Sequence, residues 1–155
     1  MPTSSTLAEE WDRALTTLVP RVPDLNIQTL ELRRGYAKAR ATLAGNGNHY
    51  GSMYAGTLFG MAEMLGGALI WADFDFDEYL PTVKHMAIRY RRPAFTDVIA
   101  VASLDTSTVE RMRHEAATQG KSEFEVDAVL TDTSGEVVVT THGIYQIIAR
   151  PRPGQ

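Results

Sequence analysis

The sequence predicts an α+β protein in which one curved antiparallel β-sheet wraps around a single long, apolar α-helix. Residues 50–72 contain five glycines and one carboxylate, Glu63, with no other charged side chain. That composition is typical of a buried helix against which neighbouring backbone packs closely. The second half of the chain alternates apolar and polar residues, as strands with one covered face do. At 155 residues and 44% hydrophobic, the chain is expected to form one domain over residues 1–155.

The first half of the chain predicts a helix, a hairpin and the central helix, in that order. Apolar residues at helical spacing indicate a helix over about 7–18, which two prolines end. Extended segments at 25–32 and 36–43 flank a glycine, which predicts a hairpin with glycine at its turn. After a polar loop, we expect the central helix at about 52–71, with the serine at its start as the cap.

The second half predicts four strands and one further helix. A charged, helix-forming segment at 108–118 is expected to decorate the surface, and the tail at 151–155 is expected to be disordered. The last two strands are joined by a glycine turn and should form an antiparallel hairpin. The four predicted strands are 86–90, 98–104, 124–130 and 137–148.

Composition excludes several classes of function. The net charge of −4, without long basic runs, makes nucleic acid an unfavourable partner. The chain has no cysteine, which removes disulfides, thiol nucleophiles and zinc ribbons, and its histidines have no metal-like spacing. We therefore expect no metal site. Because the first ten residues are too polar for a secretion signal, a cytoplasmic location is the expectation.

The apolar stretch is long enough to cross a bilayer, so a membrane span must be compared with a buried helix. Glu63 near its middle would cost about 2.5 to 3.5 kcal/mol on insertion scales. The glycines suit close packing inside a protein better. We therefore predict a buried helix and no membrane partner. A carboxylate on a buried helix requires either a side chain that pairs with it or a chemical role.

The segment 48–63, NHYGSMYAGTLFGMAE, supported by RYRRPA at 89–94, resembles hotdog-fold thioesterases of the phenylacetyl-CoA and 4-hydroxybenzoyl-CoA thioesterase-like superfamily. The resemblance covers nearly all of residues 25–148. It implies a hotdog fold, hydrolysis of an acyl-CoA or acyl-carrier-protein thioester, and no cofactor. It also implies a homodimer, with further pairing into a dimer of dimers left open.

The resemblance assigns site residues by position. Asn48 matches the loop asparagine of the family, Glu63 its acid, and Ala55 the glycine whose amide helps form an oxyanion hole. Tyr54 stands where the family has histidine, so the role of that imidazole has no direct counterpart. His49 could substitute in part, but a helix cap or a loop hydrogen bond explains it equally.

The chemistry also follows from the residue types. Backbone N–H groups of Tyr54, Ala55 and Gly56 at a helix start would hold a developing oxyanion. Glu63 could act as nucleophile, giving a mixed anhydride, or as general base. The sequence leaves both routes open. The Thr57 hydroxyl is a candidate for positioning water or substrate, although such hydroxyls are more often bonded to backbone.

Helix geometry predicts how the site assembles. At about 1.5 Å rise per residue, Glu63 lies roughly 12 to 14 Å along the axis from Tyr54 and Ala55. One thioester cannot contact both in a single protomer. Two antiparallel helices in a two-fold dimer would bring the acid of one to the helix start of the other.

Coenzyme A carries phosphates, which call for local positive charge. Two groups are candidates, and solvated surface charge is the alternative for each. The first comprises Arg89, Arg91 and Arg92, and the second comprises Arg111, Arg113 and Lys121.

Two further functions stay open at this point. A non-catalytic acyl-CoA-binding protein would bind ligand whether or not Glu63 is present. A hotdog hydratase or dehydratase would need a histidine close to the acid, and His49 is the only nearby candidate. The identity of the acyl group is not predicted.

Overall fold

The computed structural model describes residues 2–152 and 154. This part of the chain forms three α-helices and a six-stranded sheet. The helices are α1 (Ser4–Leu18), α2 (Ala55–Asp73) and α3 (Thr106–Gln119), and a short 3-10 helix, Pro23–Leu25, follows α1. The strands are β1 (Ile27–Arg33), β2 (Tyr36–Ala41), β3 (Tyr79–Tyr90), β4 (Val98–Ser103), β5 (Lys121–Asp132) and β6 (Val137–Ala149).

The six strands form one antiparallel sheet in the order β1-β2-β4-β5-β6-β3. Its inner face packs against α2, whose Met61, Leu65 and Leu69 are completely buried. Short alanines on β2 and β4 also face inward, and they leave room for the helix. The predicted α+β architecture, a sheet around a long central helix, is confirmed.

By length and composition alone, α2 could cross a membrane. Within the described residues it lies inside the curve of the sheet and contacts all six strands. This is the packing of a core helix, as expected from its glycines. Gly66 and Gly143 show why small residues are needed, because the ring of Tyr145 fills the space that a Cβ atom at either position would occupy.

The two shorter helices close the open sides of the sheet. Asp12 of α1 accepts hydrogen bonds from the backbone N–H and the hydroxyl of Thr29 on β1, with N–H to oxygen at 2.9 Å. Trp11 packs against Trp71 and Phe76, with ring centroids 5.6 and 6.0 Å away. Helix α3 does more than decorate the surface, since its apolar face is buried.

Two boundary predictions are wrong. Ser52 does not cap α2, which begins at Ala55; the Ser52 hydroxyl instead bonds the side chain of Asn48 within the preceding loop. Strand β3 begins at Tyr79 rather than at residue 86. Its first half contains Pro81 and an irregularity in register just after Val83, and both obscure the alternation by which a strand is recognised. The predicted tail at 151–155 lies partly outside the described residues.

Candidate functional site

The start of α2 presents two backbone donors that the fold leaves free. The Tyr54 N–H donates to the carbonyl of Asn46 at 2.7 Å, and the N–H groups of Thr57 and Leu58 donate to the Tyr54 carbonyl. Among the described residues, the N–H groups of Ala55 and Gly56 have no acceptor. These two amides lie at the positive end of the helix dipole and can bind an anionic oxygen. Tyr54, the third expected donor, is already used.

The loop before α2 is folded by its own asparagines. The Asn48 side-chain oxygen accepts from the N–H groups of Tyr50 and Ser52 at 2.9 and 3.1 Å, and its nitrogen donates to the Ser52 hydroxyl at 3.0 Å. This is the bonding of a residue that shapes a turn. The Asn48 side chain is therefore bonded within its own loop, which immediately precedes α2.

Asn46, which the sequence did not single out, anchors the helix start. Its buried side chain donates to the carbonyls of Leu25 and Thr42 at 2.7 and 2.9 Å and accepts from the Thr57 hydroxyl at 3.0 Å. The Thr57 hydroxyl, a substrate-binding candidate, is therefore buried and bonded. A buried asparagine next to glycines gives no distinguishing signal in a sequence.

Aromatic side chains surround the same helix start. Tyr54 is 57% exposed, and the outer part of its ring lies where a Cβ atom on Gly56 would be, so a side chain at Gly56 would displace that ring. The hydroxyl of Tyr90, from the end of β3, donates to the Ala55 carbonyl at 3.1 Å. Burial, and secondly the neighbouring Tyr54, raise the pKa of Tyr90. His49 is exposed in the loop.

Glu63 lies two turns further along α2 and is half-buried. Within the described residues, its carboxylate makes no hydrogen bond and no ion pair. Burial raises the pKa of Glu63 above its usual value, and no cation offsets this effect. Tyr145 on β6 contacts the same turn, because its hydroxyl donates to the Glu63 carbonyl at 2.9 Å. Burial, and then the charge of Glu63, strongly raise the pKa of Tyr145.

A cavity of about 220 Å³ opens beside Glu63. Apart from Glu63 and Thr82, its walls are apolar or aromatic side chains and one glycine. They come from α1 and the turn after it, α2, Phe76, the start of β3, and Tyr145. None of the histidines lines this cavity. A carboxylate without a partner, in an apolar cavity with access to solvent, is the arrangement expected of a general base or nucleophile.

The two halves of the candidate site are far apart within one chain. Eight residues separate Glu63 from Ala55, which is about 12 Å along a helix. Strand β3 contacts both halves, since Pro81 and Val83 near its start line the Glu63 cavity and Tyr90 at its end contacts Ala55. The acid and the free amides therefore lie near opposite ends of one strand.

The candidate arginines fall into two places. Arg91 donates to the Thr140 hydroxyl at 3.2 Å, exposed Arg92 pairs with Glu136 at 3.4 Å, and exposed Arg89 precedes Tyr90. This first group lies near the start of α2. In the second group, Arg113 contacts Asp73 at the opposite end of α2.

Comparison with known proteins places the chain in a family. A family described as a domain of unknown function, DUF4442, matches residues 9–145. The solved structure of PA5026 from Pseudomonas aeruginosa, a protein of unknown function described as a probable thioesterase, is 39% identical, covering 92% of this chain and 96% of that one, with a TM-score of 0.82. The chain belongs to the hotdog-fold thioesterase superfamily. As a hotdog protein, it has the fold that the segment 48–63 predicted.

More distant hotdog structures support the fold alone. Thioesterase HI1161 from Haemophilus influenzae is 12% identical, covering 100% of this chain and 96% of that one, with a TM-score of 0.73. The PaaI protein from the phenylacetic acid degradation operon of E. coli is 19% identical, covering 96% and 97%, with a TM-score of 0.65. No curated protein matches the chain significantly.

Proposed function

We propose that this hotdog protein is an acyl-CoA thioesterase that uses Glu63 and the amides at the start of α2. The observation that carries the proposal is the Glu63 carboxylate, which has a raised pKa and no partner among the described residues, beside an apolar cavity. A carboxylate in such a place destabilises the folded protein, and carboxylates of this kind usually have a chemical role. The carboxylate can take a proton from water or attack a carbonyl itself.

The reaction needs few groups. Water oxygen bonds to the thioester carbonyl carbon while Glu63 takes its proton, and negative charge develops on the carbonyl oxygen. The N–H groups of Ala55 and Gly56 stabilise that oxyanion. The tetrahedral intermediate then collapses, the carbon–sulfur bond breaks, and a thiolate leaves. Because a thiolate is a good leaving group, the missing family histidine at Tyr54 is not needed as an acid.

Glu63 can also attack the carbonyl carbon directly, forming a mixed anhydride that water then hydrolyses. Rapid acid quenching followed by peptide mass spectrometry separates the two routes. Only the nucleophile route leaves an acylated peptide that contains Glu63. The general-base route leaves that peptide unmodified.

The proposed active unit is a homodimer, because one chain cannot bring both groups to one thioester. Strand β3 is an edge strand of 12 residues, and exposed Leu80 and Val83 lie on it. Such an edge pairs readily with another chain. If two β3 strands pair antiparallel, the start of one, beside Glu63, faces the end of the other, beside Ala55. Two-fold symmetry then produces two identical composite sites.

The nucleotide of coenzyme A would contact the first arginine group. Arg89 and Arg91 flank Tyr90, whose hydroxyl contacts the helix start that carries the free amides. Arg113, of the second group, is near the far end of α2 and is paired with Asp73. Proximity to the oxyanion donors therefore favours the first group.

The test is thiol release from straight-chain and aromatic acyl-CoAs by wild type and Glu63→Gln. We expect the substitution to lower kcat by about a hundredfold or more, since it removes the base or nucleophile. Glu9→Gln, at an exposed glutamate outside the cavity, is the matched control and should retain activity. If wild type releases no thiol yet binds acyl-CoA as well as Glu63→Gln does, the non-catalytic binding protein replaces this proposal. A hydratase is disfavoured because the cavity walls contain no histidine.

A further inference from the structure

Helix α1, which is not part of the sheet, forms much of the wall of the cavity beside Glu63. Helix α1 and the turn after it contribute five apolar side chains: Trp11, Leu15, Leu18, Val19 and Val22. The rest of the lining includes Met64 and Gly67 on α2 together with the start of β3. Since this wall is apolar, the part of a ligand that enters here must be hydrocarbon in character.

The cavity has a buried end and an exposed rim. Trp11 and Leu15 at the buried end are each 3% exposed, whereas Leu18 and Val19 at the rim are 45% and 46% exposed. Leu80 of β3, also at the rim, is 37% exposed. Exposed apolar side chains grouped around an opening are a surface from which an apolar ligand would exclude water.

The wall formed by α1 is held firmly from two sides. Asp12 binds the N–H and hydroxyl of Thr29 on the edge strand β1. Trp11 packs against the aromatic rings of Trp71 and Phe76, which also contact each other. An added Cβ on Gly67 would come within 3.2 Å of the Trp11 ring, so α1 and α2 are also in close contact. A wall anchored in this way does not move to admit a longer chain.

We propose that α1 closes the acyl pocket and limits the substrate to medium-length hydrocarbon acyl chains, with Leu18 as a specificity-determining residue at the rim. This inference rests on the proposed thioesterase function, since the cavity is entered beside Glu63. An apolar cavity of about 150 Å³ holds one benzene molecule, so about 220 Å³ holds roughly nine carbon atoms. The preferred chain is therefore roughly six to ten carbons long.

Binding tests the pocket independently of catalysis. Glu63→Gln is titrated calorimetrically with straight-chain acyl-CoAs of increasing length. Each methylene that enters an apolar pocket should tighten binding about fourfold. We expect this gain to stop at roughly six to ten carbons, where the pocket is full. Affinity that does not depend on chain length, or that keeps rising well beyond this point, would overturn the inference.

Substitutions at Leu18 test whether α1 sets the limit. Leu18→Trp adds bulk at the rim and should move the end of the affinity gain to shorter chains, whereas Leu18→Ala should move it to longer ones. Leu30→Trp is the matched control, because Leu30 is a similarly exposed leucine on β1 that does not line the cavity. An unchanged limit in both Leu18 variants would overturn the role of α1.

The two proposals fail in different ways. If wild type releases no thiol but Glu63→Gln shows the chain-length limit, hydrolysis is overturned and the pocket is supported. If wild type releases thiol equally from all chain lengths and the Leu18 variants do not alter this, the pocket is overturned and hydrolysis is supported.

Discussion

Glu63 connects the physical chemistry of a single residue to function and stability. Burial disfavours the charged carboxylate, and its pKa is therefore higher in the folded than in the unfolded chain. The folded state binds this proton more tightly, so the associated stability is present at acidic pH and is lost as pH rises through the raised pKa. At neutral pH the native carboxylate therefore opposes folding.

The pH dependence of stability that Glu63 causes gives a prediction for Glu63→Gln. The variant carries a neutral side chain at every pH, so its melting temperature should exceed that of wild type at pH 7. The difference should shrink towards zero at about pH 4, where the wild-type carboxyl is protonated. Calorimetric scans at both pH values measure this difference, with Glu9→Gln as control. A variant that is less stable at pH 7 would indicate that Glu63 has a stabilising partner.

Gly66 gives a second prediction at the residue scale. Alanine normally favours a helix over glycine by about 1 kcal/mol. A Cβ atom here would overlap the ring of Tyr145, which is 2% exposed and stacks on Phe124, so the ring cannot move aside freely. We expect Gly66→Ala to destabilise the protein by about 1 to 3 kcal/mol. Urea unfolding measures this, and a more stable variant would contradict the packing described for α2.

At the element scale, the start of α2 is both a structural and a chemical feature. Ala55 is the first helical residue, the position at which proline is best tolerated because its missing N–H has no partner in the helix. Tyr54 before it has an extended backbone with ψ of 132°, which a following proline also accepts. Ala55→Pro therefore removes one proposed oxyanion donor and preserves the helix.

Ala55→Pro should lower kcat about a hundredfold or more, the effect of losing one oxyanion-hole donor. Ala55→Ser keeps the N–H group and is the control. Thiol release measures activity, and circular dichroism checks that the helix content is unchanged. Full activity in a folded Ala55→Pro protein would exclude this amide from the reaction.

The elements also show what the sequence could predict. Helix α2 was predictable because a long run with a single charged residue is rare in a soluble chain. Strand β5 was predictable from its alternation, and β6 from the glycine turn that joins it to β5. The first half of β3 was not, since Pro81 and a change of register interrupt its pattern. The cap of α2 was misplaced because Ser52 bonds Asn48 instead of a helical N–H. Such local competition between hydrogen bonds is decided by the folded loop.

Some residues of the candidate site could be identified from the sequence, and others could not. Glu63 could be singled out because a lone acid on an apolar helix is unusual. Trp11 and Tyr145 could not be singled out, because tryptophan and tyrosine are ordinary residues of a protein core. Only the packing of α1 and β6 on α2 brings these two side chains close to Glu63. Contacts between distant parts of a chain leave no periodic signal along it.

At the scale of the whole molecule, the proposed reaction requires two chains to share each site. Within one chain, β3 extends from the acid to the free amides, and it is an edge strand of the sheet. The complete hydrolase is therefore expected only in the dimer. Sedimentation equilibrium should give twice the mass of one chain under assay conditions.

The most direct test of the composite site is complementation between Glu63→Gln and Ala55→Pro subunits. Each variant alone should be nearly inactive. In a mixed dimer, one site combines the intact Glu63 of one chain with the intact Ala55 of the other. After denaturation and joint refolding at equal amounts, random pairing should restore about a quarter of wild-type activity. No recovery in mixed dimers verified by mass would contradict the shared site.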